Sequence, residues 1–311
     1  MVSRPRTQPE PSAAGCPPPA WARSPAAGQT LEETAFLAGA GLAVLHPIAR
    51  DPHPVGTLWR QRLALAAAAG LAKLAGRTED AETLRDHWYL RRPGDDPGPA
   101  GRLLAAWRAL ATPAACDWRR LPALLELGAD PALEAVVAFA SSRREGEGPV
   151  AAAAGVAAES LRLRPDSRPL ALWLADAVLA ERLGWPAPVP LLAAHVGRAD
   201  LRLGGAVAVA GGSGEAWAIA CYRAYARAAI TAADLHADLG RRAARLLAVA
   251  PKLRGRHADA IVARLLEEDA LGATAGGPGS DRAQRRLFDR LVALGGVREL
   301  TGRATFRLYG L

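Results

Sequence analysis

The sequence predicts a mostly α-helical fold: an antiparallel array of helices, closed by a C-terminal helix and a short β-hairpin. Three observations predict it. From Leu31 onward, apolar residues recur at helical spacing almost without interruption. The alternating β and α segments of a doubly wound fold are missing, and no fixed repeat period marks a solenoid. Residues 280–311, SDRAQRRLFDRLVALGGVRELTGRATFRLYGL, then change pattern, with a Gly-Gly break between a helix and two short alternating stretches.

Residues 1–28 are rich in Pro, Ala and Ser and are expected to form a tail that buries too little surface to order itself. A helical body follows over 29–204. Its first helix covers 31–45 and stops at His46-Pro47; its second covers 55–75 and stops at Gly76. Thr78 caps a helix running to about Leu90, and Asp96-Pro97 suits an N-cap and first helical position for one reaching Leu110. Further helices are expected over 118–127, 131–142, 150–163, 168–183 (ended by Gly184 and Pro186) and 189–196. Residues 205–255 read as a Gly-rich linker continuing into helix 215–250, with Thr231 as a candidate break. A helix over 256–270 opens the closing module, 256–311.

Within that module, helix 281–294 gathers Ala283, Leu287, Phe288, Leu291, Val292 and Leu294 on one half of the wheel. Arg282, Arg285, Arg286, Asp289 and Arg290 occupy the other half. Ser280 suits the N-cap, and Gly295-Gly296 stops the helix. Residues 297–300 and 305–309 read as strands about a turn containing Arg303, with Phe306 and Leu308 on one side and Arg307 and Tyr309 on the other. A helix running into a tight hairpin is the order of a winged helix, whose helix enters the major groove of DNA while the hairpin tip meets the backbone. Arg282, Arg285, Arg286, Arg290 and Arg303 would then contact phosphates and guanine edges.

Charge supports this placement. The formal net charge is +8, but 37 of the 39 basic residues are arginine and asparagine is absent, a bias that GC-rich coding alone produces. The distribution says more. Residues 241–311 hold 14 basic and 7 acidic side chains, and 29–240 are nearly balanced. No apolar run approaches the ~20 residues of a membrane span, and no signal peptide is visible. Three widely spaced cysteines, Cys16, Cys116 and Cys221, suit a reducing, cytoplasmic setting and neither a disulfide framework nor a zinc site.

Segment 280–311 resembles the winged-helix ends of Fic-family proteins and of bacterial helix-turn-helix regulators, in which a helix of the RLVALGGV kind leads into REL-TGR and RLY. Over most of the chain, FLAGAGLAVL, WRQRLALAAAAG, RPGDDPGPAGR, LALWLADAVLAERLGWPAPVPLL, LLAVAPKLR and the closing segment resemble the bacterial domain-of-unknown-function family 1403. That resemblance implies a bacterial intracellular protein and brings no activity, cofactor or catalytic residue.

Other motifs are weaker. GGAVAVAGGSGEAWAIA lacks the third glycine of a dinucleotide fingerprint and the Gly-Lys-Ser/Thr of a phosphate loop, so no cofactor is expected. Asp86 and His87 sit in an acidic helix start without the Glu-x-x-His pairing of a bundle metal site. Asp176, inside the apolar LALWLADAVLA, needs a partner, expected to be an arginine of a neighbouring helix; the alternative is a general acid or base beside Trp173 and Trp185. Trp59, Trp88, Trp107, Trp173 and Trp217 fall at apolar helical positions and are expected to fill gaps between Ala-rich helices. The leading expectation is a non-enzymatic DNA-binding or DNA-associated accessory protein. The rivals are a protein–protein or self-association module, with an apolar patch across Leu287, Leu291 and Phe306, and an enzyme with a site near Asp176 or Asp86/His87.

Overall fold

The computed structural model describes residues 18–23, 30–92, 94–112, 125, 127–128, 130–142, 146–210, 214–253, 257–273, 281–302 and 306–311. Eleven α-helices lie among them: α1 (Leu31–Arg50), α2 (Gly56–Leu74), α3 (Ala81–Leu90), α4 (Gly98–Leu110), α5 (Pro131–Ser141), α6 (Pro149–Leu163), α7 (Arg168–Arg182), α8 (Arg198–Ala210), α9 (Glu215–Val249), α10 (Ala258–Glu267) and α11 (Asp281–Ala293). Strands β1 (Leu271–Gly272), β2 (Arg298–Glu299) and β3 (Leu308–Gly310) form one antiparallel sheet in the order β1-β3-β2.

Local chemistry sets the helix ends. Thr30 and Glu33 form a capping box on α1, while Asp80 and Asp130 cap α3 and α5. Asp80 therefore takes the place expected of Thr78, and α4 starts one residue later than expected, with Pro97 as its N-cap. α1 does not stop at His46-Pro47 but runs on to Arg50. Pro47 sits in the exposed last turn, where its missing N–H costs one hydrogen bond and the Asp51 N–H closes onto its carbonyl. α2 ends as expected, at Gly76 with φ of 83°. The expected helix over 118–127 lies almost wholly outside the described residues.

α9, unbroken at Thr231, is the spine. α1 lies along it at a close backbone approach, where a Cβ on Gly41 would meet the Ala226 carbonyl oxygen and Ala229 Cβ at 3.2 Å. α6 packs against α7, α5 and α8, and α2 packs against α4. Trp59, Trp107, Trp173 and Trp217 are buried as expected, and Trp59 and Trp217 donate their indole N–H to the carbonyls of Ala232 and Ala154. Trp88 is only half-buried.

Three segments depart from expectation. Residues 205–210, expected to open a linker, continue α8 instead, and Gly204 before them lets Leu161 and Trp217 approach closely. Residues 189–196 are not a helix: Pro188 and Pro190 hold the chain extended, and only Leu192–Ala194 form a 3₁₀ turn. Part of the presumed tail docks, since Ala22 is buried, Trp21 stacks on Phe36 and Arg23 pairs with Asp234.

Candidate nucleic-acid interface

α11 buries a narrow stripe. Gln284, Phe288 and Leu291 are buried and Leu287 is half-buried, at the i, i+3, i+4, i+7 spacing of one face. The stripe is narrower than the apolar half expected from the wheel, since Ala283 and Val292 are exposed. Phe288 stacks on Tyr309 of β3 with ring centroids 4.6 Å apart. The helix then stops in a Schellman motif: Gly295, at φ of 68°, donates to the Val292 carbonyl, and Gly296 donates to that of Leu291. The two glycines have different duties. Gly295 supplies the left-handed turn, and Gly296 supplies room, for a Cβ there would meet Val249 Cγ2 at 2.7 Å and Leu246 Cδ1 at 3.5 Å. α11 is thereby seated on the end of α9.

This seating turns Arg282, Arg285, Arg286 and Arg290 to solvent. Among the described residues none of the four makes an ion pair, whereas Arg77, Arg162, Arg164, Arg241 and Arg264 on other surfaces each meet a carboxylate. Arg303 lies outside the described residues. Two exposed arginines that the sequence reading did not single out lie on neighbouring elements. Arg245 is exposed on α9 next to Leu246, and Arg298 is exposed on β2. The clue to Arg245 was its place in RRAARLL, one and four residues before Leu246 and Val249, which receive the module.

The hairpin is shorter than expected. Arg298 pairs with Gly310 and Glu299 with Tyr309; the Leu300 N–H donates to Leu308, whose own N–H donates to the Thr301 hydroxyl. Phe306 does not share a side with Leu308: it precedes the strand with φ of 58° and is 69% exposed, while Leu308 is fully buried. Leu291 is also fully buried, so the apolar patch expected across Leu287, Leu291 and Phe306 does not form. β1 pairs with β3 through Leu271–Tyr309 and Gly272–Leu308. It stands between α10 and α11, so these two helices do not form a tight helix-turn-helix.

A buried ionic cluster fastens the sheet to the body. Asp269, just before β1, is fully buried. Its carboxylate accepts from Arg85 Nε at 2.8 Å, pairs with Arg62 and lies 3.7 Å from an Nη of Arg108. Its backbone N–H donates to Gln61, and Arg62 donates to the carbonyls of Asp269 and Leu311.

Of the other candidate residues, Asp176 has structural partners. Asp176 meets no arginine. Its carboxylate accepts from the N–H groups of Leu191 and Leu192 at 2.9 and 3.2 Å, and the Tyr225 hydroxyl lies alongside without a well-aligned bond. It thus caps the buried 3₁₀ turn that follows the proline pair. Burial drives its pKa up to about 7 against the opposing pull of those amides. His87 is exposed at the last turn of α3 and Asp86 is half-buried. Among the described residues no group of three or more His, Cys, Asp or Glu is placed to hold a metal, and no helix is long and apolar enough to cross a membrane.

No curated protein matches the chain. A family model described as "Protein of unknown function (DUF1403)" matches residues 13–311, nearly the whole sequence. With its helical body and small C-terminal sheet, the chain belongs to the DUF1403 family.

Proposed function

We propose that the C-terminal module binds double-stranded DNA, with Arg282, Arg285, Arg286 and Arg290 of α11 as its principal contacts and Arg303 as a hairpin contact. The observation that carries the reading is the row of exposed arginines on α11 without carboxylate partners among the described residues, held outward by the buried stripe beneath. Unpaired guanidinium groups at helical spacing suit phosphate and guanine-edge contacts. The element order supports the same reading: among the described residues helix, strand, helix, strand, strand, with the first strand beside the last, suits a winged helix in which α11 would take the recognition position. No reaction is part of this reading, which is of a DNA-associated accessory protein.

Fluorescence anisotropy with a short duplex, read across salt concentrations, tests it. Four phosphate contacts give a log–log salt slope of about −3.6, so affinity falls on the order of 100-fold between 50 and 200 mM salt. The variant with all four α11 arginines changed to Ala should lose most of the affinity and most of that slope. Equal binding by variant and parent rejects the proposal.

A second reading, protein docking, draws on a different surface. Trp21 and Phe36 stack while 55% and 65% exposed, an apolar pair open to solvent. If this pair seats a second copy of the chain, Phe36→Ser lowers the mass measured by light scattering; unchanged mass removes self-association through this pair.

A further inference from the structure

We propose that the outer face of α1 pairs with the same face of a second copy of the chain, the two helices running antiparallel across a two-fold axis. The proposal rests on the self-association reading of the Trp21–Phe36 pair and deepens it. It stands apart from the DNA reading, because α11 contributes no residue to it.

The face itself is the first argument. A line of exposed positions runs along α1 at Glu32, Phe36, Gly39, Ala43, Pro47 and Arg50, recurring every three or four residues. That is the spacing of a seam between two packed helices. The solvent side of a helix ordinarily carries charge, as the exposed arginines of α9 and α11 do. On α1 the line is uncharged from Phe36 to Pro47, and Val44 and Ile48 beside it are half-buried and apolar. Trp21 widens the face at the Glu32 end by stacking on Phe36 at 5.4 Å between ring centroids. Gly39 has no use within one chain. A Cβ there would meet nothing within 4 Å, whereas Gly41 is needed to admit α9. Glycine in mid-helix weakens the helix relative to alanine, and a second helix brought close accounts for it.

Charge names the occupant. Among the described residues Glu32 meets no cation, and Arg50 meets no carboxylate, only an Nη 3.4 Å from His46 Nε2. Glu32 and Arg50 stand equally far from Gly41 along the helix, as do Gly39 and Ala43. An antiparallel crossing there sets each Glu32 against the partner's Arg50 and Gly39 against the partner's Ala43. A parallel crossing would face like charges at both ends. A helix lying on a lipid surface would flank its apolar stripe with Lys and Arg, and α1 instead begins with two glutamates. The area suits a weak dimer. Trp21 and Phe36 offer roughly 100 Å² each at 55% and 65% exposure, and the rest of the stripe about 300 Å², so a symmetric pair buries about 1,000 Å², the lower bound of specific interfaces.

Sedimentation equilibrium of the full-length protein, from low-micromolar to sub-millimolar concentration, tests the seam. The parent should pass from monomer to dimer over that range. Glu32→Arg and Arg50→Glu, both exposed changes, each set like charges together twice and should weaken the dimer about tenfold. An equimolar mixture of the two restores both opposite-charge pairs and should recover the parent's association. Gly39→Glu, where a Cβ meets nothing, should leave the fold intact and abolish the dimer. A chain that stays monomeric at every concentration overturns the seam and the self-association reading together. So does a monomer that floats with anionic vesicles, which assigns the face to lipid. Association that survives Gly39→Glu, or that the mixture does not restore, overturns the seam alone. The self-association reading then stands or falls with Phe36→Ser.

Discussion

Replacing Asp176 separates two roles of one buried carboxylate. Oδ2 accepts from Leu191 at 2.9 Å, and the Leu192 N–H is shared between Oδ1 and Oδ2, at 3.2 Å from each. Asp176→Ala orphans both N–H groups in a fully buried segment. At about 1–3 kcal/mol for each unsatisfied donor, the loss is about 4 kcal/mol. At roughly 2–4 °C per kcal/mol for a chain of this size class, the Tm falls by about 8–16 °C. Asp176→Asn keeps a carbonyl oxygen where Oδ2 stands but sets its amide nitrogen near the Leu192 N–H, so it should cost about 1–2 kcal/mol near neutral pH, less than Asp176→Ala. Linkage supplies the sharper reading. Burial raises the folded pKa to about 7 from an ordinary 3.8, so between those values the folded protein holds a proton that the unfolded chain has released. Parent stability therefore falls, relative to Asp176→Asn, as pH rises through this window. At 1.36 kcal/mol per unit the change between pH 5 and pH 7 is at most about 3 kcal/mol, and about 2 because the folded carboxyl is itself half-ionised at pH 7. Urea unfolding of parent and both variants at the two pH values measures it. A parent–Asn difference unchanged between pH 5 and pH 7 refutes the protonated carboxylate; an Ala variant no worse than the Asn variant refutes the cap.

Other expectations follow from the same geometry. His195 and His236 are held at a pKa of about 4, chiefly by burial, so their neutral forms favour the fold. Their contribution is complete above the ordinary value of 6.5 and is lost as pH falls toward 4, which a urea series over that range should show as falling stability, reduced in His236→Gln. Gly295→Ala should cost about 1 kcal/mol through its left-handed turn, while Gly296→Ala should cost about 1–3 kcal/mol by pushing the module off Val249; thermal unfolding compares them. Asp269→Asn leaves three buried guanidinium groups unneutralised and should destabilise by about 3–5 kcal/mol, with proteolytic nicking near β1 appearing first.

Most of the helices were legible because their apolar spacing and caps are local. The closing helix, its double-glycine stop and the outward arginine face could be read from fewer than twenty residues. What escaped is long-range. β1 is two residues long and has no periodicity; it is a strand only because Tyr309 and Leu308 lie beside it. Asp269 ends the run Glu267-Glu268-Asp269, which reads as a solvated charge cluster, yet it is fully buried because Arg62, Arg85 and Arg108 arrive from three helices far upstream. A partial signal existed: each of those arginines borders a buried apolar position, with Leu63, Leu84 and Trp107 as neighbours. Residues 189–196 misled for the opposite reason, since a strongly apolar run is compatible with a helix unless its prolines decide otherwise.

α9 spans 35 residues, about 50 Å, and it touches α1 along its length while its last turns carry the glycine seat of α11. One rigid rod thus serves as floor for both ends of the molecule. The arginine-bearing end owns too few buried side chains to stand without that floor, so severing it should yield a collapsed or unstructured fragment, and melting the intact chain should show a single cooperative event. Anything that tilts the rod at its α1 end re-aims the cationic helix at the other.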